Sequence, residues 1–149
     1  MTLSGKQDYL DYLAISLWIT SDVLSPETVT RMIGIIPSYV RSRGTPIPRL
    51  GINRRPEFDH HEWQFREQLD VQAGDCIGKR SEEFITQFFE KIKMAATSIR
   101  ELSENHSVTI SLVYQAHDMP YIGLTSDHVQ TIAALGASLN YDIMVDGNR

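Results

Sequence analysis

The sequence predicts an α+β fold in which helices cover one face of a mixed or antiparallel sheet. Three observations predict it: segments whose apolar residues alternate, segments whose apolar residues recur every third or fourth position, and the order in which the two kinds follow each other. The 149 residues suit a single domain, 1–149. A chain of this length buries roughly 70% of its unfolded surface and can hold a core without disulfides or metals.

Residues 12–20 alternate, with Ile15, Leu17 and Ile19 facing one way and Ser16, Trp18 and Thr20 the other, which predicts a strand. Leu24-Ser25-Pro26-Glu27 then opens a short helix: Ser25 is a good N-cap, Pro26 suits the first helical position, and Glu27 complements the helix dipole. Val29, Met32 and Ile33 fall at helical spacing and are expected inward. Gly34 can end the helix in a left-handed conformation, and Pro37 prevents its return. A short strand is expected at Tyr39–Arg43, followed by a proline- and arginine-rich loop within 44–60 marked by Gly44, Pro46, Pro48, Gly51 and Pro56. Over 62–71, Trp63, Phe65, Leu69 and Val71 share one face of a strand; Glu67 shares it too, which predicts a bend or bulge there. Two glycines in 72–79 predict a turn.

The clearest element is a helix over 81–103, in which Phe84, Ile85, Phe88, Phe89, Ile92, Ala95, Ala96, Ile99 and Leu102 make one apolar stripe. Ser81 is its expected cap, Glu82 and Glu83 fall in its first turn, and Asn105 ends it. Val108, Ile110, Leu112 and Tyr114 then alternate with Thr109, Ser111 and Val113 as a strand. A last helix is expected over 126–135 with Val129, Ile132 and Leu135 inward and Gly136 as its stop. The final strand, 138–145, sets Leu139, Tyr141, Ile143 and Val145 against Asn140, Asp142 and Met144.

The order is therefore β-α-β-β-α-β followed by α-β. Its first six elements match the ferredoxin-like sandwich, extended by a C-terminal α-β unit. The face away from the helices would carry Ser16, Trp18, Thr109, Ser111, Asn140 and Asp142, polar enough to be wet or to meet a partner. Ile15-Ser16-Leu17-Trp18 with its capped helix and Gly34 resembles Ile110-Ser111-Leu112-Val113 with its capped helix and Gly136. The two are either a pseudo-symmetric pair sharing a sheet or the ordinary likeness of capped helices after strands.

Net charge is 14 − 19 = −5. Phosphate neutralisation supplies most nucleic-acid affinity, so no general nucleic-acid binding is expected. An acidic protein suits a basic partner, although acidity also serves solubility alone. The lone Cys76 leaves no internal disulfide, no apolar run could span a bilayer, and Met1 to Asp11 lacks the pattern of a signal peptide. A cytoplasmic location with no membrane attachment is expected.

The unusual local feature is Arg41 to Arg55, with Arg41, Arg43, Arg49, Arg54 and Arg55 and no acidic residue. Guanidinium forks bind phosphate or carboxylate, and prolines lower the entropic cost of binding. The plainer reading is a solvated loop whose arginines pair with Glu57, Asp59 and Glu62. Asp59-His60-His61-Glu62 has metal-ligand residue types, but adjacent residues of a strand point apart, and no His-Glu-x-x-His or cysteine pair completes a site. No metal and no cofactor are expected. Asp22 and His117-Asp118 follow the two similar strands and would lie near each other if those strands are neighbours, sharing a proton or orienting a water; otherwise such residues cap turns. Nothing near Cys76 marks it as a nucleophile, and no Walker loop, dinucleotide fingerprint or nucleophile elbow is present. Trp63 and Trp18 are core or sheet-face aromatics, and either becomes a binding anchor if exposed.

From Leu13 to Val145 the chain resembles the bacterial domain of unknown function 4279 family. The carriers are Leu24-Ser25-Pro26-Glu27 with Gly34 and Pro37, Arg41-Ser42-Arg43-Gly44, Trp63, the long helix, and Leu135-Gly136-Ala137-Ser138-Leu139 leading to Asp142-Ile143. The loop at 44–60 is richer in arginine and proline than that pattern, and Met144-Val145 stand where the family often has an aromatic residue. The resemblance implies a small cytoplasmic protein, akin in some members to immunity proteins that neutralise toxins, and it brings no catalytic set.

Three functions are therefore expected in order. The first is a non-enzymatic protein-interaction module, an immunity-type protein that binds and inhibits a partner such as a toxin or other effector. The second is a small anion- or nucleotide-binding domain that uses the Arg41–Arg55 loop. The third is an enzyme, which needs a cleft holding two or more of Asp22, His60, His61, His117 and Asp118. The expected binding residues are Arg41, Arg43, Arg49, Arg54, Arg55 and Trp63. A homodimer through a sheet edge formed by the last strand is a further possibility.

Overall fold

A computed structural model describes residues 11–47, 57–71, 77–116 and 123–145. In chain order they form β1 (Asp11–Ser21), α1 (Pro26–Ile33), β2 (Tyr39–Arg41), β3 (His61–Val71), α2 (Ile77–Ile92), a 3-10 turn (Lys93–Ala95), α3 (Ala96–Asn105), β4 (Ser107–Ala116), α4 (Ser126–Ala134) and β5 (Ser138–Val145). The strands make one sheet in the order β2-β3-β1-β4-β5. β1 runs antiparallel to both β3 and β4, β2 antiparallel to β3, and β5 parallel to β4. Read from β4 to β2, the first four strands have the 4-1-3-2 order of the expected ferredoxin-like arrangement. The α4–β5 unit extends it by one parallel crossover.

The alternation read from the sequence sets the two faces. Leu13, Ile15, Leu17 and Ile19 of β1, Trp63 of β3 and Val108, Ile110, Leu112 and Tyr114 of β4 bury their side chains on one face. Ile85, Phe88, Phe89, Ile92, Ala95, Ile99 and Leu102 of the long helical segment cover them, with Val29 and Ile33 of α1 and Ile132 beside them. Phe65 and Phe88 stack with ring centroids 5.5 Å apart. α1 begins and ends as expected: the Ser25 hydroxyl accepts from the Thr28 amide at 3.3 Å, Pro26 opens the helix, and Gly34 has φ 75°. Both of the similar strand–helix units sit in this sheet, and each helix has a hydroxyl N-cap, Ser25 or Thr125. They return differently, since β3 lies between β1 and β2 while β5 lies beside β4.

The structure corrects five details. The long helix starts at Ile77, so Ser81 lies inside it, its hydroxyl donating to the Gly78 carbonyl at 2.8 Å, and Glu82 and Glu83 lie beyond the first turn. The 3-10 turn at Lys93–Ala95 divides that helix and leaves Met94 99% exposed. β3 passes Glu67 without a bulge: its register against β1 is continuous, because Lys91 of α2 pairs with the Glu67 carboxylate at 2.5 Å. Met32 is exposed, while Val29 and Ile33 alone carry the α1 seam. In α4, Val129 turns outward and His128 inward, 4% exposed. The His128 Nδ1 accepts from the Thr125 amide at 3.1 Å and Nε2 lies 2.8 Å from the Thr86 hydroxyl, so the buried ring has both nitrogens engaged. Among the described residues no helix is long and apolar enough to cross a membrane.

Candidate functional site

The four helices share one side of the sheet, and the opposite face forms a regular grid. Pairing registers place Tyr39, Gln64, Trp18, Thr109 and Ser138 in one row that crosses all five strands. The next row holds Arg66, Ser16, Ser111 and Asn140, and the one beyond it Gln68, Ala14, Val113 and Asp142. Ala14, Ser16, Ser111 and Gln64 are buried and form the floor, with Gln64 donating to the Ser16 hydroxyl at 3.1 Å. Trp18 and Thr109 are half-buried, and Arg66, Gln68, Asp70, Asn140 and Asp142 are exposed on the two flanks. On the β3 flank, Arg66 donates to the Gln68 amide oxygen at 2.8 Å and Gln68 donates to Asp70 at 2.7 Å. This is a shallow furrow with a polar floor, one central tryptophan and hydrogen-bonding rims.

A charged corner closes one end of the grid. Arg41 places its guanidinium 2.6 Å from the Glu62 carboxylate and 3.1 Å from the centroid of the Phe58 ring. Its Nε has no hydrogen-bond acceptor among the described residues. His60 lies between two carboxylates, with Nδ1 2.6 Å from Asp59 and Nε2 3.0 Å from Glu62. Only the imidazolium can donate from both nitrogens. The hydrogen bonds to Glu62 and then Asp59 raise the His60 pKa, and the same contact lowers that of Asp59. His61 serves a different partner, its Nδ1 accepting from the Arg43 amide at 2.9 Å. The Arg43 guanidinium donates to the Asp22 carbonyl at 3.2 Å and so ties the end of β2 to the end of β1.

Two open depressions lie near this end of the sheet. One, of about 500 Å³, is lined by Arg43, Gly44, Glu57, Phe58, Asp59 and His61. The other, of about 520 Å³, is lined by residues that include Asp22, Glu104 and His106. Among the described residues each is lined by one of the groups the enzyme reading names, His61 in the first and Asp22 in the second. Strand direction bears on one expected pairing, that of Asp22 with the groups that follow β4. β1 and β4 are antiparallel neighbours, so Asp22, after Ser21, lies beside the start of β4 at Ser107. The end of β4 lies at the other end of the sheet, about nine residue steps or roughly 30 Å away. Among the described residues no three His, Cys, Asp or Glu side chains could hold a metal ion.

The expected binding residues therefore separate. Arg41 is engaged with Glu62 and Phe58, as the plainer reading of the arginine segment had it. Arg43 lines an open depression that also carries two carboxylates. Arg49, Arg54 and Arg55 lie outside the described residues, as do His117, Asp118 and Cys76. Trp63 is corrected: it is 1% exposed in the core and its indole N–H donates to the Thr30 hydroxyl at 3.0 Å, so it offers no surface to a partner. Trp18 takes the sheet-face position instead. Tyr39, Gln64 and Arg66 were not singled out in the sequence; the alternation of Gln64, Arg66, Gln68 and Asp70 with Trp63, Phe65 and Leu69 is the signal that would have found them.

A family model, Domain of unknown function (DUF4279), matches residues 11–146. The chain belongs to that family, the one its motifs between Leu13 and Val145 resemble. No curated protein and no solved structure matches it.

Proposed function

We propose that this DUF4279 member is a non-enzymatic protein-interaction module, of the bacterial immunity type, which binds and inhibits a partner protein through the face of its sheet opposite the described helices. One observation carries the reading: a half-buried tryptophan, Trp18, stands at the middle of a row that spans all five strands, with exposed hydrogen-bonding residues on the two flanks of the face. Binding energy at protein interfaces concentrates in a few central aromatic or arginine anchors ringed by polar contacts that exclude water. Trp18 with Tyr39, which is 42% exposed, and Arg66 supply those residue types. The net charge of −5 would speed encounter with a basic partner. The ion pair of Arg41 and the carboxylates beside Arg43 make an anion site at this corner the weaker reading.

Affinity capture from the native lysate, followed by calorimetry on the captured protein, tests this. Wild-type protein retains a partner at low salt, and folded Trp18→Ala binds it about 30-fold more weakly or worse. No retained protein, or equal retention by Trp18→Ala and Tyr39→Ala, would defeat the reading. Inorganic phosphate binding abolished by Arg43→Ala would favour the anion site instead.

A further inference from the structure

Among the described residues β5 ends the sheet, and it lacks most of the features that keep an edge strand from pairing. Its residues run Ser138–Val145 in unbroken register against β4, with no bulge, no proline and no basic residue. Every residue from Ser138 to Met144 is exposed, Leu139 at 45% and Ile143 at 40%. Val129 of α4, the helix that packs on β5, adds further exposed apolar surface. Among the described residues no strand pairs with the outer side of β5. Long, regular edges of this kind are templates for another strand.

The pattern of β5 selects the occupant. Leu139-Asn140-Tyr141-Asp142-Ile143 reads almost alike in both directions: aliphatic, Asn or Asp, tyrosine, Asp or Asn, aliphatic. Self-complementarity of this kind is what a two-fold interface requires. Residues opposed across an antiparallel pair point to the same face of the sheet. An axis through Tyr141 therefore sets Leu139 against Ile143 and Ser138 against Met144. It sets Asp142 against an amide, that of Asn140. Moving the axis to Asp142 would oppose two carboxylates, which is unfavourable. Moving it to Asn140 would leave Ile143 beyond the start of the opposing strand. β5 carries one charge, Asp142, and so offers a foreign charged strand little to recognise.

We propose that the protein forms a two-fold homodimer in which β5 pairs antiparallel with β5 of a second copy about Tyr141, making one continuous ten-stranded sheet. Both sets of helices then lie on one side and both Trp18 furrows on the other. This goes beyond the proposed function and is tested separately from it, because Trp18 lies on β1, two strands from the edge.

Sedimentation equilibrium over about 1–100 µM reads the association directly. The wild type is expected to be dimeric, and Ile143→Lys, with an unchanged circular dichroism spectrum, to associate about tenfold more weakly or worse. Cross-linking reads the register in a Cys76→Ser background. Tyr141→Cys faces its own equivalent at a spacing a disulfide can bridge and is expected to give a covalent dimer under mild oxidation. Ser138→Cys lies about 20 Å from its equivalent and is expected not to. A wild type monomeric throughout, as it would be if β5 served a foreign strand, overturns the proposal. So does a dimer indifferent to Ile143→Lys, or equal cross-linking at both positions.

Discussion

The β2 edge of the sheet is three residues long, and the β5 edge is eight. Behind β2 the chain is secured at several points. The Ser38 amide donates to the Gln64 carbonyl at 2.7 Å, Arg41 is held by Glu62 and Phe58, and Gly44 at φ 85° turns the chain so that Pro46 bridges to Glu57. Among the described residues β5 pairs with one strand, β4, and one helix, α4, packs on it. The difference teaches that a short edge can be finished with charge and a turn within one molecule, whereas a long, nearly uncharged one is finished only by another strand.

The largest test of this contrast removes the side chain under the closed edge. Trp63→Ala, beneath β2 and opposite Val40, should lower stability by about 3–5 kcal/mol in urea unfolding, because it leaves a large cavity and strips the Thr30 hydroxyl of its donor. A loss near 1 kcal/mol would mean that β2 is not anchored through the core.

Next comes the hinge of each unit. Gly136 precedes β5 at φ 67°, and a Cβ there would lie 2.9 Å from Arg100 Nη1 and in collision with the Ser103 hydroxyl. Gly34 precedes β2 at φ 75° with nothing within 4 Å. Gly136→Ala should cost about 2–4 kcal/mol and Gly34→Ala about 1–2 kcal/mol. Equal costs would remove the distinction. Glu62→Gln should follow at about 1–3 kcal/mol, since it replaces the carboxylate facing the largely buried Arg41 guanidinium with a neutral amide.

Two histidines carry the contrast into pH. His60, at the closed edge, is held above its ordinary 6.5 by the carboxylates on both sides. Its contribution is present below pH 6.5 and is lost as pH rises through its raised pKa. His128, over the open edge, is held below 6.5 by burial. It contributes above pH 6.5 and is lost as pH falls, because a protonated Nδ1 would confront the Thr125 amide, itself a donor. Imidazole proton shifts followed by NMR as pH rises should show His128 losing its proton before His60; the reverse order would refute both environments. Smallest of all, Ile143→Lys should change the stability of the isolated subunit by less than about 0.5 kcal/mol, because the residue is already exposed.

Much of this fold was legible because period-2 and period-3.6 patterns report which face each residue takes. The four strands with clear alternation, the α1 cap at Ser25 and the stops at Gly34 and Gly136 are local chemistry. What stayed hidden depends on partners distant in sequence. Glu67 looked like a bulge because Lys91 lies 24 residues away. His128 was not among the residues expected inward, because its hydrogen-bond partner Thr86 lies 42 residues earlier. The start of α2 was missed since Gly78, Lys79 and Arg80 are poor opening residues and no acidic side chain marks its first turn. Alternation also carries no strand direction, so it could not reveal that Asp22 and the end of β4 lie apart. For the site, the six sheet-face residues on β1, β4 and β5 could be read directly, while the row joining Trp18 to Gln64 and Tyr39 required the register.

The 3-10 turn at Lys93–Ala95 has a geometrical consequence. Ile85, Ile92 and Ile99 recur every seven residues, and on an uninterrupted α-helix such a seam slips by about 20° per repeat, or about 40° across the three. Three residues wound at 3.0 rather than 3.6 per turn advance the phase by about 60°, which cancels that slip and leaves about 20° in the opposite sense. The tightened segment works as a vernier. It keeps a heptad-spaced seam seated on a sheet that offers no second helix to coil around, and the solvent-facing Met94 sits where the winding changes pitch.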